Sequence, residues 1–286
     1  MRNGTKSRQR WIGFLAESLV LSAMLSALLV TTSPAVNSSG FMSSVDSGSS
    51  TRSLTDGNSH RLHTELELAS VWQSRNDVQI PNEAPATRFS LVDLVGNGPV
   101  GAGRLTVRYD LAERHQLGLL LAPLQLKETG TPDSPVTFAG TTFAAGEEVE
   151  ATYRFNSWRL GYRYLWHSGA RAQAWVGFTA KIRDAEIRID QGDQSSNDTD
   201  VGFVPLLHVA GTYRFTERWT GSTEVEALGG GPGRAIDGAL KLRYGTPGGP
   251  GVSFGYRTIE GGANVSAVYN FAWLHYAVVS IDLSMF

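Results

Sequence analysis

The segment Arg104–Leu111, RLTVRYDL, decides the fold class of this 286-residue chain. Apolar side chains occupy every second position of the segment, and the positions between them hold two arginines, a threonine and an aspartate. Successive side chains of a β-strand point to opposite faces, so this spacing predicts a strand with one apolar and one charged face. The same alternation recurs in Glu148–Phe155, Trp175–Ile182 and Ala239–Tyr244. The body of the chain is therefore predicted to be all-β.

Ten strands are predicted, because turn-forming segments separate ten alternating runs. The runs are Leu62–Gln73, Gly103–Leu111, Gln116–Leu126, Glu147–Trp166, Ala172–Ile189, Val201–Phe215, Arg218–Leu228, Ala235–Tyr244, Val252–Ile259 and Asn264–Leu283. Glu147–Trp166 is taken as one strand with a bulge where Phe155 and Trp158 fall out of phase, because this choice puts every long connection at one end. The predicted long connections are Ser74–Gly101, Lys127–Gly146, Gln191–Asp200, Gly229–Arg234 and Glu260–Ala263. Counts of eight or twelve strands stay open, since a sequence pattern fixes element boundaries poorly.

The N-terminal part of the chain differs from the rest in composition. Four basic residues, the last of them Arg10, precede the apolar run Trp11–Val30, and small residues continue to Ala35. This order is typical of a secretory signal, so residues 1–35 are predicted to be a signal peptide, with an uncleaved membrane anchor as the alternative. Residues 36–60 hold nine serines and almost no large apolar side chain, which predicts a flexible linker. Residues 61–286 then form the barrel domain.

The composition and the motif search exclude several kinds of site. The chain has no cysteine, which excludes disulfides, a cysteine nucleophile and thiolate metal ligands. A net charge of −2 is not the basic footprint of a nucleic-acid-binding protein. The histidines form no zinc motif, and Gly96–Gly101, although it matches G-x-G-x-x-G, precedes a predicted strand instead of a helix. We therefore expect no metal, no cofactor and no nucleic-acid partner.

The charged faces of the strands are predicted to line the interior of a barrel, while the apolar faces contact lipid. Charges of both signs occur there, so facing strands can form ion pairs across a narrow lumen. The predicted lumen network consists of Glu65, Glu67, Arg104, Arg108, Glu148, Glu150, Arg154, Arg159, Arg163, Lys181, Glu224, Glu226, Lys241, Arg243 and Arg257. Aromatic residues near many strand ends fit the interfacial girdles of such a barrel.

With its basic and apolar leader, its alternation over Leu62–Leu283 and its terminal Phe286, the chain resembles the small outer-membrane β-barrel proteins of Gram-negative bacteria. The resemblance implies export and a single antiparallel up-and-down transmembrane barrel in the outer membrane. It also implies membrane lipid and the barrel assembly machinery as partners. In that class the apolar positions of the last strand share the phase of the terminal aromatic, whereas here Ile281 and Leu283 are out of phase with Phe286. A soluble β-barrel or sandwich is the alternative fold.

The sequence favours a non-enzymatic barrel with a narrow, charge-filled lumen and a structural or interaction role carried by its loops. No partner for those loops follows from the sequence. Three alternatives stay open: a hydrolase acting on lipid or peptide at the barrel rim, a narrow solute channel, and a soluble barrel that binds an apolar ligand. The hydrolase would need a Ser/His or Asp/His set near the outer edge, and the sequence spacing reveals none. His208 is predicted to be a hydrogen-bonding lumen residue and His275 an interfacial residue.

Overall fold

The computed structural model describes residues 61–246 and 248–285. The predicted signal peptide, the Ser-rich linker and Phe286 lie outside the described residues. The elements in chain order are β1 (Leu62–Gln79), β2 (Phe89–Ser90), α1 (Leu91–Val95), β3 (Val100–Ala112), β4 (His115–Ala122), β5 (Gln125–Gly130), β6 (Val136–Phe138), β7 (Thr141–Phe143), β8 (Val149–Ser168), β9 (Ala172–Gln191), β10 (Gln194–Arg214), β11 (Trp219–Gly230), β12 (Gly233–Gly245), β13 (Gly251–Asn264) and β14 (Tyr269–Met285). Among the described residues, no helix is long and apolar enough to cross a membrane.

The long strands form one closed antiparallel barrel of ten strands, which confirms the predicted fold class and strand number. Each strand pairs with its neighbour in the chain, and β5 continues the line of β4 along β8. The barrel closes where β1 pairs with β14, from Leu62 opposite Met285 to Gln79 opposite Tyr269. Closure satisfies the backbone groups of every strand, which is the condition for a sheet to cross a bilayer.

The two ends of the barrel are built differently. The terminal end carries the first residue of β1, the last residue of β14, the turns at 113–114, 169–171 and 215–218, and the described residues 246 and 248–250 between β12 and β13. The loop end carries the long connections 80–99 and 131–148, and it has turns at 192–193, 231–232 and 265–268. The even strand number thus places both ends of the barrel sequence on one side.

Three of the predicted long connections are wrong. Gln191–Asp200, Gly229–Arg234 and Glu260–Ala263 belong mostly to strands, and the chain reverses in tight turns at the loop end. These strands extend beyond the apolar outer surface, where a β-ladder no longer needs apolar side chains to face lipid. The polar residues in these strand ends therefore resemble loop residues in the sequence. The predicted bulge of β8 is also misplaced, because the register shift lies between Leu165 and His167.

A belt of exposed apolar side chains surrounds the outside of the barrel. Leu207 is 65% exposed and Phe178 is 61% exposed, although both are large and apolar. The belt includes Leu66, Leu68, Leu117, Leu119, Leu160, Phe178, Phe203, Leu207, Leu240, Phe254, Val279 and Ile281. A water-soluble protein rarely exposes so continuous an apolar surface, whereas lipid covers this belt in a membrane barrel. This orientation agrees with the one predicted for Arg104–Leu111.

The interior of the barrel has two layers. The half near the terminal end is filled by charged side chains, and the half near the loop end is filled by apolar ones. The short elements of the long connections contribute to the apolar layer: Leu91 and Leu94 of α1 are buried, as are Phe138 of β6 and Phe143 of β7. The apolar layer also contains Val71, Val78, Ile80, Leu124, Leu126, Val136, Val149, Ala151, Tyr153, Ile187, Ile189, Ile259, Ala272, Leu274, Tyr276 and Val278.

Local sequence explains how α1 fits into the mouth of the barrel. The Ser90 side chain caps the helix by accepting a hydrogen bond from the Asp93 backbone N–H. The helix ends at Gly96, whose φ of 109° is accessible mainly to glycine. Gly130 of β5 has no side chain where the Leu94 carbonyl passes, and a Cβ there would overlap that oxygen. The helix can therefore pack directly against the inner wall.

Candidate functional site

Two buried carboxylates form the centre of the charged layer. Glu67 on β1 is 2% exposed and Asp237 on β12 is 4% exposed. Arg257 contacts both, with Nη1 2.6 Å from Asp237 and Nε 3.1 Å from Glu67. Arg104 also contacts both, at 3.3 Å from Asp237 and 3.5 Å from Glu67. Lys241 adds a third cation to Glu67, with its Nζ 2.5 Å from Oε2.

A second group of side chains surrounds the carboxylates of β11. Glu226 accepts hydrogen bonds from Arg159 and from the Thr179 hydroxyl, the latter at 2.5 Å. His208 lies between the two glutamates, with Nδ1 3.1 Å from Glu226 and Nε2 3.5 Å from Glu224. Arg159 also joins the two groups, because its Nη2 lies 2.7 Å from Asp237. The charged layer is thus one connected network.

Several of these ion pairs cross the interior instead of joining neighbouring strands. Arg108 of β3 binds Glu224 of β11 at 3.0 Å, although these strands do not pair with each other. Arg159 of β8 likewise reaches Asp237 of β12. Burying charges is costly, and the cost is recovered only where geometry and hydrogen bonds are good. A network that ties opposite walls fixes the barrel cross-section and occupies its lumen.

The free space left inside this network is small. The cavity between Arg108, Arg163, His208 and Glu224 has a volume of about 50 Å³. A water molecule needs about 10–15 Å³ on this measure, so the cavity has room for a few waters. Part of the space exists because Gly118 on β4 and Gly161 on β8, which also line it, have no side chains there. At about 50 Å³ this cavity is too small to hold a larger solute.

Two interior cations have no acidic partner. Lys181 is 3% exposed, and its Nζ lies 4.6 Å from the centre of the Phe155 ring. Arg163 donates a hydrogen bond to Gln116 at 2.5 Å and packs over the Trp175 ring. Within the described ranges, neither cation has a carboxylate oxygen within 4.0 Å. The positive charge of the interior is therefore not fully compensated by direct contacts.

Most of the predicted network residues lie inside the barrel. The structure brings together Glu65, Glu67, Arg104, Arg108, Arg159, Arg163, Lys181, Glu224, Glu226, Lys241, Arg243 and Arg257 on the inner wall. Arg243 lies at the terminal end, where Nε is 3.5 Å from Asp282. Asp237 and His208 join the network, and both fall on the polar faces of their strands in the sequence.

Glu148, Glu150 and Arg154 do not join the network, which differs from the prediction. Glu150 binds Lys127 at 2.8 Å, and both side chains are more than one-third exposed. Arg154 pairs with acidic residues of β9 near the loop end. The inward positions of this part of β8 are apolar, at Val149, Ala151 and Tyr153, because they pack into the apolar layer. The charged face of β8 is therefore its outer face here.

A separate group of polar side chains lies on the outer wall and was not visible in the sequence. Ser74 is the extra residue of a β-bulge, since the register of β1 against β14 passes from Gln73 to Arg75. Its Oγ lies 2.8 Å from Nε2 of His275, and Nδ1 of His275 hydrogen-bonds to the hydroxyl of Tyr256. The imidazole also stacks on Trp72, with ring centres 5.7 Å apart. Ser74 and His275 are 201 residues apart in the chain, so no local motif could have linked them.

This group lies at the edge of the apolar belt that is nearer the loop end. Along β14 towards the terminal end, Val279 and Ile281 face outward and are about half exposed. Towards the loop end come Phe271 and Tyr269, which are covered by cations. The guanidinium groups of Arg75 and Arg234 lie 5.5 and 5.1 Å from the Phe271 ring centre, and that of Arg88 lies 3.8 Å from the Tyr269 ring centre. Ser74 is thus placed between an apolar surface and a group of three arginines.

Searches of known proteins agree with the fold and leave the activity open. No protein-family model and no curated protein matches the sequence. Among solved structures, the chain is similar to the outer membrane protease OmpT from Escherichia coli, with a TM-score of 0.50 and 8% identity over 79% of this chain and 97% of that one. Others are the translocator domain of autotransporter NalP from Neisseria meningitidis (TM-score 0.41, 10% identity, 80% and 90% covered) and the attachment invasion locus protein Ail of Yersinia pestis (0.33, 7%, 78% and 99%).

The chain therefore has the fold of small Gram-negative outer-membrane β-barrels, as the resemblance in the sequence implied. The apolar belt agrees with the predicted outer-membrane localisation. At such low identity the likeness shows the fold alone. The likeness to a protease at 8% identity therefore does not decide whether this chain is an enzyme. No group of side chains in the described part of the chain is arranged to hold a metal ion.

Proposed function

We propose that this protein is an integral outer-membrane barrel that conducts no solute and supports a structural or interaction role at its loop end. The proposal rests on the barrel interior, which is filled by side chains. Arg104 and Arg257 each bridge Glu67 and Asp237 in the charged layer, and buried side chains such as Phe138 seal the apolar layer above it. A solute would have to break both layers to pass. Membrane lipid and the barrel assembly machinery are its proposed partners.

The composition of the charged layer also argues against the alternative of a narrow solute channel. An ion-selective pore is lined by charges of one sign or by coordinating carbonyl groups. Here carboxylates and cations contact each other directly and occupy the lumen, leaving a cavity of about 50 Å³. Carboxylates of this layer such as Glu67 and Asp237 are therefore held by fixed cations instead of a mobile one.

Planar-bilayer recording tests the proposal. The purified full-length chain, refolded and checked for a heat-dependent shift in gel mobility, is added to a bilayer beside a porin as positive control. We expect insertion without steady conductance across the usual voltage range. Discrete, long-lived conductance steps from the wild-type chain would contradict the closed interior and favour the channel.

A further inference from the structure

The outer wall carries an arrangement of side chains that the closed barrel does not require. A serine activated for nucleophilic attack has a base within hydrogen-bond reach, and a third group that orients the base. Ser74, His275 and Tyr256 meet these conditions, with Oγ 2.8 Å from Nε2 and the phenol hydroxyl at Nδ1. We propose that Ser74 and His275 are the nucleophile and general base of an ester hydrolase whose substrate is a phosphate-bearing acyl lipid in the facing membrane leaflet.

The hydrogen bonds define the role of each group. For Nε2 to accept the Ser74 proton, Nδ1 must carry the ring proton and donate it to the Tyr256 oxygen. Tyr256 is thus a positioning residue that holds the tautomer and the ring plane, and stacking on Trp72 supports the same orientation. Tyrosine is neutral near pH 7, so it orients the imidazole without adding a charge to the site.

The bulge makes the serine reachable. Ser74 is exposed, whereas Gln73 before it is buried in the interior. Bulges re-aim side chains and occur often beside active sites. The register of the ladder also skips Ser74, so the bulge sets this residue apart from its paired neighbours. His208, by contrast, is 6% exposed inside the charged layer, where lipid has no access.

The surroundings indicate the substrate class. On the side of the site towards the terminal end, the apolar belt offers a surface for acyl chains. On the side towards the loop end, Arg75, Arg88 and Arg234 lie over Phe271 and Tyr269. At about 3.3 Å per residue along β14, Phe271 is roughly 13 Å and Tyr269 roughly 20 Å from His275.

Among the three arginines, Arg88 is best suited to bind an anionic head group. The hydrogen bonds of its guanidinium go to the neutral amides of Gln79 and Asn82. Arg75 and Arg234, in contrast, each contact a carboxylate, that of Asp77 and that of Glu260. Arginine is well suited to phosphate recognition because its planar donors match two phosphate oxygens. Phospholipid and lipopolysaccharide both combine phosphate with O-acyl chains, so the test must separate them.

The reaction follows the usual course of serine acyl transfer. Ser74 Oγ bonds to the ester carbonyl carbon while its proton moves to His275 Nε2. The tetrahedral intermediate expels the alcohol, which takes that proton, and leaves an acyl-serine. Water then attacks the acyl carbon, gives a proton to Nε2, and the Ser74–acyl bond breaks with return of the proton to Oγ. The products are a carboxylic acid and a lipid lacking one acyl chain.

Acyl release from defined lipids tests the proposal. The full-length chain is incubated in one arm with phosphatidylethanolamine–phosphatidylglycerol vesicles and in the other with purified lipopolysaccharide, and free fatty acid is measured by mass spectrometry. We expect release in at least one arm, and that arm identifies the lipid. Ser74→Ala and His275→Ala should each lower the rate about 100-fold or more. Ser70→Ala is the matched control, because Ser70 is exposed on the same strand, and it should leave the rate unchanged.

Two further measurements separate chemistry from structure. A fluorophosphonate probe should label the wild-type chain and not Ser74→Ala, while both show the same heat-dependent gel shift. Tyr256→Phe should lower kcat with little change in KM, and Arg88→Gln should mainly raise KM. Absence of probe labelling together with absence of acyl release in both arms would overturn the proposal, as would full activity of Ser74→Ala. Either result leaves the closed interior untouched, because bilayer conductance measures that property independently.

Discussion

Replacing Glu67 with glutamine tests whether the interior network stabilises the barrel. Glu67 is 2% exposed and contacts three cations, Arg104, Arg257 and Lys241. Glu67→Gln keeps the size of the side chain but removes the negative charge, so three buried cations lose one of their carboxylates. Removing one partner of a buried ion pair costs about 3–5 kcal/mol, because the remaining charge stays buried without compensation.

The matched control is Glu150→Gln, which makes the same chemical change on the outer face. Glu150 pairs with Lys127 at 2.8 Å, but both side chains are well exposed. Exposed pairs contribute about 0–1 kcal/mol. The free energy of unfolding should therefore fall by about 3–5 kcal/mol in Glu67→Gln and by at most about 1 kcal/mol in the control. The corresponding drop in the folding equilibrium constant is roughly two to four orders of magnitude for Glu67→Gln.

Urea titration in lipid vesicles measures both values. The six tryptophans of the barrel domain report unfolding by fluorescence, and gel mobility without boiling gives an independent measure of the folded fraction. The linear dependence of the unfolding free energy on urea then gives the difference between variants. If the two variants are destabilised equally, within about 0.5 kcal/mol, the charged layer does not stabilise the fold in the way proposed.

Three other substitutions examine the wall, the belt and the unpaired cation. Gly177→Ala should lower the unfolding free energy by about 1–3 kcal/mol, because its Cβ would overlap the Tyr162 carbonyl oxygen; an unchanged urea midpoint would refute this close approach. Leu207→Arg should cost about 2–4 kcal/mol in vesicles if Leu207 faces the bilayer centre, and a neutral effect would argue for a water-facing wall. Lys181→Met should raise stability, since it removes a buried charge whose main contact is the Phe155 ring. A lower urea midpoint for that variant would reveal a partner for the ammonium group.

The strand order was predictable because alternation with period two reports the two faces of each strand directly. Leu105, Val107 and Tyr109 face outward, and Arg104 and Arg108 face inward, as that pattern indicated. Alternation says which residues share a face, but it does not say what the face contacts. The sequence also could not reveal how the inward charges pair, because the ion pairs join strands that are distant in the chain.

The apolar layer explains why part of the prediction for β8 differs from the structure. An inward face that packs under a cap is as apolar as an outward face that contacts lipid. Val149 and Tyr153 belong to the first kind and Phe178 to the second, yet their local sequences look alike. The two kinds of apolar face can be told apart only once α1 and the β6–β7 hairpin are known to fill the barrel at its loop end. Their short, irregular elements gave no alternating signal in the sequence.

The seam between β1 and β14 has a consequence for when the proposed chemistry becomes available. Ser74 and His275 stand on the first and last strands of the barrel, and they meet only across that seam. A chain still in transit, with its ends apart, has neither the bulge nor the base beside the hydroxyl. Lipid cleavage would then begin only once the barrel has closed in the outer membrane. Membranes that the unfolded chain crosses during export would not be cleaved.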